Sequence, residues 1–355
     1  MTTLKQRLVS RIRGLGPVTV ADFMSEALAA RPNSYYRSGD PLGASGDFIT
    51  APEISQMFGE MIGVWLAERW QAIGSPSRVM LVELGPGRGT LLADALRATR
   101  KVAGFHEAIE LHLVEINETL RQTQAKAITT LTPHWHSSFN ELPSSDVPLL
   151  LVANEFFDAL PIRQLQRGER DWHERLIDVV DEDLRFVLSP GSSPLAALLP
   201  RDTASAKPGD IAEVSPASLA LMQAIAERIA RRRGAALIVD YGRAGALGPS
   251  LQAVANHRRA EPLAAPGEAD LSALVDFATL ARVADQAGAA VFGPVGQGAF
   301  LTALGIELRA KALKAKGGKD IDAALARLIA PEQMGTLFKA LAVIDKNQSP
   351  PAGFA

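Results

Sequence analysis

Residues 79–90 read Val79-Met80-Leu81-Val82-Glu83-Leu84-Gly85-Pro86-Gly87-Arg88-Gly89-Thr90. A short apolar run closes on an acid and breaks into three alternating glycines, and an amphipathic stretch over residues 91–98 follows. That order predicts strand, tight turn and helix. Glycine permits the sharp reversal and lets a ligand lie against bare main chain. The helix start offers unpaired N–H groups. Spacing narrows the choice of ligand. A dinucleotide turn, G-x-G-x-x-G, needs its third glycine where this chain has Thr90.

The pattern is instead E-x-G-x-G-x-G, a form that holds the amino-acid part of S-adenosylmethionine (SAM). SAM has no pyrophosphate for the turn to wrap, and Glu83 can help hold its zwitterion. Turns of this kind also occur without any ligand. The next apolar run, Leu111-His112-Leu113-Val114-Glu115-Ile116, ends in an acid. In a doubly wound sheet Glu115 lies at the tip of the neighbouring strand, where a carboxylate can accept both ribose hydroxyls. The cofactor contacts expected from sequence are Glu83, Gly85, Gly87, Gly89, Glu115 and Asn154.

Composition removes several alternatives. The 37 basic and 39 acidic residues nearly balance, so no basic field points to nucleic acid or to an anionic membrane. Without cysteine there is no disulfide, thiolate catalysis or cysteine-ligated metal. The six histidines show no metal-ligand spacing, and no metal is expected; His134-Trp135-His136 reads as a loop or strand pair. No apolar run approaches the ~18 residues of a membrane span. Lys5, Arg7, Arg11 and Arg13 without an acid resemble a transit peptide. Yet Leu4, Leu8 and Ile12 share one helical face that ends at Gly14-Leu15-Gly16-Pro17, so this segment is read as the first helix of the fold.

A second helix is expected over residues 19–30, with Thr19 as N-cap and Pro32 as stop, then a loop over 31–52. One long helix should run from residue 52 or 53 to 73. Its internal Gly59 and Gly63 each cost about 1 kcal/mol against alanine, which points to close helix packing. After the buried run ending at Asn154, residues 172–180 and 184–188 alternate about Asp181-Glu182-Asp183 as a hairpin. Residues 189–208 read as loop. Ser215-Pro216 opens a helix that Gly234 stops, with Arg231, Arg232 and Arg233 suited to its C-terminal dipole. Strands are expected at 235–240 and 289–295, a helix at 276–287, and helices over 307–342. The fold class is α/β, a mostly parallel Rossmann-like SAM methyltransferase sheet with an N-terminal helical region and an inserted α+β substrate subdomain. The expected parts are residues 1–75 (helical region and lid loop), 76–154 (SAM-binding core), 155–214 (insertion) and 215–355 (remaining core and C-terminal helices).

Asn154-Glu155-Phe156-Phe157-Asp158-Ala159-Leu160-Pro161 follows the third buried run and places polar groups and two phenyl rings at the sheet's carboxyl edge. Methyl transfer from SAM is an in-line displacement that needs an aligned nucleophile and exclusion of water. A guanidinium is always charged. Carboxylates must bind it and concentrate electron density on one nitrogen, and Glu155 and Asp158 are suited to that task. A helix N-terminus carrying stabilising acids accounts for the same residues equally well.

Taken together, these stretches resemble the MidA-like family of SAM-dependent methyltransferases nearly end to end. The resemblance also rests on Gly46-Asp47-Phe48-Ile49-Thr50-Ala51-Pro52-Glu53-Ile54-Ser55-Gln56, on Val239-Asp240-Tyr241-Gly242 and on Pro266-Gly267-Glu268-Ala269-Asp270-Leu271. It implies a protein arginine N-methyltransferase linked to respiratory complex I assembly, with a protein substrate such as a complex I subunit. A bacterial member would be cytoplasmic and a eukaryotic one would sit in the mitochondrial matrix. Glu53 joins Glu155 and Asp158 as a catalytic candidate, in a loop that could close over SAM or substrate. The chain departs from the family at Arg243 and Leu274, where histidine is expected, and at Pro249-Ser250, where Asp-Thr is common. Two other functions stay open on the sequence: a SAM-binding assembly chaperone without catalysis, and a small-molecule methyltransferase. The sequence specifies no oligomeric state.

Overall fold

The computed structural model describes residues 3–28, 50–245, 247–255 and 258–354. The expectations for Pro32, for the loop over 31–49 and for Gly46 to Ile49 of the lid lie outside these residues. The central sheet has eight strands, seven in one row, β1 (Val79–Leu84), β2 (Ile109–Val114), β3 (His134–His136), β4 (Leu149–Asn154), β5 (Gly234–Arg243), β6 (Ala290–Gly296) and β7 (Phe338–Ile344), and a two-residue strand, Val275–Asp276, paired with the end of β5. The spatial order of the row is β3-β2-β1-β4-β5-β7-β6. The first five lie parallel, while β7 runs antiparallel between β5 and β6. The strand order reverses between β1 and β4, so their carboxyl ends open a crevice there. Helices cover both faces, which is why β1 and β4 are buried along their full length and read as continuous apolar runs.

β7 corrects the expectation of helices through residue 342. Ala340, Leu341, Ala342, Val343 and Ile344 are all fully buried. A short run of Ala and Leu with both faces covered carries no period that separates strand from helix. What decides is that β5 and β6 each offer an edge to this segment. The long helix expected over 52–73 is also broken. A short helix, Ala51–Ile54, ends at Ser55 in extended backbone, and helix α1 (Gln56–Ala72) starts beyond it. The Ser55 hydroxyl accepts the Met57 N–H, a cap that competes with continuation. Gly59 and Gly63 do face a neighbour: a β-carbon on Gly63 would lie 2.6 Å from the Ala95 carbonyl oxygen of helix α2 (Thr90–Thr99).

A second, antiparallel sheet is built from Arg163–Arg167, Trp172–Val180, Asp183–Ser192 and Ile211–Val214, joined by Val18–Thr19 from the N-terminal segment. The hairpin turns at Asp181 and Glu182, both in the left-handed region. Its second strand and two short 3-10 turns occupy much of the stretch expected as loop. The Thr19 hydroxyl accepts the Asp22 N–H at 3.0 Å, capping the helix Val20–Leu28 as expected. A three-stranded antiparallel sheet, Gln252–Ala255, Arg258–Ala260 and Asp270–Ser272, completes the frame.

Candidate functional site

The turn after β1 has Gly85 at φ 61° and Gly87 at φ 55°, the left-handed region where a side chain is strained. A β-carbon on Gly85 would also meet the Phe156 ring at 2.8 Å. The first two glycines, with Glu83 before them, face a cavity of about 880 Å³ at the crevice. Gly89 sits elsewhere. It lies against the helix Glu118–Ala127, with the Gln124 α-carbon 3.3 Å from where its β-carbon would be, and it is not among the cavity-lining residues.

Glu83 is buried, and no described residue hydrogen-bonds its Oε2. Burial pushes its carboxyl up to about 8. At the tip of β2, Glu115 is held by the Asn117 N–H at 2.7 Å and by Gln124 Nε2 at 3.1 Å. Burial raises its pKa as well. Gln124 also donates to the Gly87 carbonyl at 2.8 Å and accepts from Trp135 Nε1 at 2.8 Å. One amide thus ties the glycine turn to the Glu115 strand tip. Sequence reading missed it, because a glutamine inside a helix carries no local signal.

Asn154 ends β4, with Oδ1 buried and unpartnered among the described residues. Glu155 follows in the left-handed region at φ 49°. Its Oε1 accepts the Ala51 N–H at 2.9 Å and Asn154 Nδ2 at 3.2 Å. The surfaces that Glu155 and Asp158 expose line the cavity. Desolvation, with the charge of Asp158 beside it, lifts Glu155 to about 7, and desolvation lifts Asp158 to about 6. Asp240, fully buried in β5, stands behind this turn. Among the described residues no lysine or arginine forms a salt bridge with any of these three carboxyls. Phe156 and Phe157 meet edge-on, with centroids 5.9 Å apart.

Glu53 comes to the glycine turn rather than to the two acids. Its Oε1 accepts from the Thr90 hydroxyl at 2.5 Å, and Arg88 lies 4.0 Å from its other oxygen. The segment after residue 50 therefore touches both halves of the site, at Thr90 through Glu53 and at Glu155 through Ala51. The far wall is the three-stranded sheet, which turns Gln252, Val254, Arg259, Asp270 and Ser272 toward the cavity. The departures at Arg243, Ser250 and Leu274 meet behind that wall. Ser250 bonds Glu213 through both its N–H and its hydroxyl, and its oxygen accepts the Leu274 N–H at 2.9 Å. Arg243 lies 3.5 Å from Glu213.

The residues fit SAM on this chain's own chemistry. The buried orphan oxygens of Glu83 and Asn154 need donors, and an amino-acid ammonium is one. The Gly85 and Gly87 backbone leaves room beside them, and Glu115 could accept ribose hydroxyls. The sheet order, the glycine turn and the second acid together define a Rossmann-like SAM-dependent methyltransferase.

Comparison with known proteins agrees. The family model described as "Putative S-adenosyl-L-methionine-dependent methyltransferase" matches residues 61–295. The chain is 37% identical to the mitochondrial protein arginine methyltransferase NDUFAF7 of Mus musculus, over 97% of this chain and 85% of that one. It is 38% identical to the Danio rerio protein of the same name, over 97% and 87%. A crystal structure from Burkholderia thailandensis, bound to S-adenosyl-homocysteine, superposes with a TM-score of 0.86 at 26% identity, covering 99% of this chain and 94% of that one. The chain belongs to this family of SAM-dependent methyltransferases. Among the described residues no helix is long and apolar enough to cross a membrane.

Proposed function

We propose that the protein moves the methyl group of SAM onto a guanidinium nitrogen of an arginine in a protein substrate. The observation that carries this reading is the carboxyl pair: Glu155 and Asp158 line the cavity beside Phe156 with the glycine turn across from them, and among the described residues neither is held in a salt bridge, Arg327 acting on Glu155 only through its charge. A cation that enters such a site favours the ionised form of both acids and is held by them. The relatives named as arginine methyltransferases support the same choice.

In this reading Glu83 and Asn154 take the amino-acid end of the cofactor, Gly85 and Gly87 let its chain lie on the turn, and Glu115 takes the ribose. The cofactor supplies a methyl group on a cationic sulfur, and the remaining tasks belong to the chain. Glu155 and Asp158 hold the guanidinium between them and concentrate its electron density on the nitrogen that Glu155 faces. As the nitrogen–carbon bond forms and the sulfur–carbon bond breaks, that nitrogen sheds one proton. Glu155, lifted to about 7, is matched to receive it near neutral pH. Glu53 supports the site from the cofactor side through Thr90. The family resemblance extends the proposal to a subunit of respiratory complex I as acceptor. Under the same proposal the work is done in the cytoplasm of a bacterium or the mitochondrial matrix of a eukaryote.

The test is transfer of tritiated methyl from SAM into a proteome extract and, separately, into a metabolite extract, followed by amino-acid analysis. Label in methylarginine is the expected result. Label confined to metabolites would make this a small-molecule enzyme, and SAM binding without transfer would make it a chaperone.

A further inference from the structure

Four consecutive N–H groups follow β4, and all four end on two residues of β5. The Glu155 N–H donates to the Val239 carbonyl at 2.9 Å. The next three, from Phe156, Phe157 and Asp158, all donate to Asp240 Oδ2, at 3.1, 2.8 and 3.3 Å. Asp240 Oδ1 accepts the Tyr241 N–H at 2.8 Å. The carboxylate is fully buried and sits in a cup of main-chain donors. A tight turn in a crevice would ordinarily satisfy its N–H groups with water. Here one side chain removes that need, so the turn can be dry and rigid where a methyl group is to move.

The turn is not relaxed. Glu155 adopts φ 49°, a region that non-glycine residues seldom occupy. Such a conformation persists only where surrounding bonds over-determine it. Those bonds orient three side chains at once. Glu155 and Asp158 face the cavity, and the Phe156 ring lies over Gly85 of the cofactor turn. Beyond it the Asp158 carbonyl accepts the Ala273 N–H at 2.9 Å, which ties the turn to the far wall.

We propose that Asp240 is a positioning residue for methyl transfer: its carboxylate locks the 155–158 turn so that Glu155, Asp158 and Phe156 face the acceptor. The assignment deepens the proposed arginine chemistry and rests on it for the identity of the acceptor. Asp240 is fully buried and does not line the cavity, so its loss is felt through geometry. A side chain of equal shape that is uncharged restores part of the lock. Asparagine can accept from the three turn N–H groups, but its amide nitrogen then faces the Tyr241 N–H, donor against donor.

Two measurements test this. In wild-type protein, hydrogen exchange should find the amides of Phe156, Phe157 and Asp158 protected like strand amides, although they lie in a turn. Exchange at the rate of an open loop would overturn the proposal without any variant. In Asp240→Asn and Asp240→Ala, SAM affinity by calorimetry should stay within about threefold of wild type. The kcat for an arginine peptide should fall at least thirtyfold in the alanine variant and about tenfold in asparagine, with KM changing less than kcat. Equal loss of SAM affinity and kcat would mean a general structural role and would overturn the proposal, as would wild-type kcat in the alanine variant. If wild type methylates a metabolite but no arginine peptide, the proposed function fails, and Asp240 is then judged with that acceptor.

Discussion

Glu83 binds a proton that an exposed glutamate would have lost. Unfolded, it ionises near 4.5; folded and ligand-free, it holds the proton until about pH 8. The unfolded state therefore gains on the folded state as pH rises from 4.5 to 8, and the penalty is constant above that. One pKa unit is about 1.4 kcal/mol, so the penalty reaches a few kcal/mol. Glu83→Gln should then stabilise the ligand-free protein at pH 8 but hardly at pH 4.5, as read by urea unfolding, while weakening SAM binding. Equal stability of the two proteins at pH 8 would show that burial does not raise the Glu83 carboxyl above its unfolded value. Glu115→Ala should cost SAM binding about 1–3 kcal/mol through lost charge-assisted hydrogen bonds; calorimetric titration that found wild-type affinity would remove Glu115 from the ribose. For Glu155, the proton-accepting form fills as pH rises through about 7. Single-turnover methyl transfer at saturating SAM should rise over that range and level off. In Glu155→Gln it should be lower by more than about tenfold, about 1.4 kcal/mol of barrier, and flat with pH. A variant that keeps both the rate and the pH dependence would place the proton elsewhere.

At the scale of elements, helices α1 and α2 meet over glycine. Two effects compete in Gly63→Ala. Helix propensity favours alanine by about 1 kcal/mol. The new β-carbon would lie 2.6 Å from the Ala95 carbonyl oxygen and 2.7 Å from its α-carbon, both main-chain atoms of a packed helix. Overpacking costs about 1–3 kcal/mol, so the variant should be less stable, with a lower denaturant midpoint. A higher midpoint would show that the helices separate easily. Packing at this level was legible beforehand, because a glycine inside a helix has few other uses. The break at Ser55 was not. Its reason lies in another element: ending the helix there lets Glu53 reach Thr90 and the Ala51 N–H reach Glu155.

Across the whole molecule, the cavity is walled by both ends of the chain and by its middle: Thr50, Pro52 and Glu53, the β1 and β4 tips, the three-stranded sheet, and Arg327 and Phe338 near the C-terminus. A ligand there binds only the folded state. At a hundred times its dissociation constant, SAM should add about 2.7 kcal/mol to stability. Thermal unfolding should then shift upward by several degrees, and NAD at equal concentration should give no shift. A shift with NAD and none with SAM would contradict the reading of Thr90 at the place of a third dinucleotide glycine.

The sequence by itself determined what local order can encode. The apolar runs ending at Glu83, Glu115 and Asn154 announced three parallel strands, and the glycine spacing announced the kind of turn. Thr19 and Ser215 announced helix starts, because a cap is a contact between near neighbours. Only the tertiary structure decided which distant groups share a place. Phe338–Ile344 became a strand because two edges were waiting for it, not because its residues prefer one. Gln124 joined Gly87 to Glu115, and Asp240 came to hold the turn at 155–158 across 82 to 84 residues of chain. The departures at Arg243, Ser250 and Leu274 looked like separate changes and proved to be one cluster around Glu213. Hydrogen bonds of this kind depend on where the sheet brings its strand tips, and periodicity along the chain does not record them.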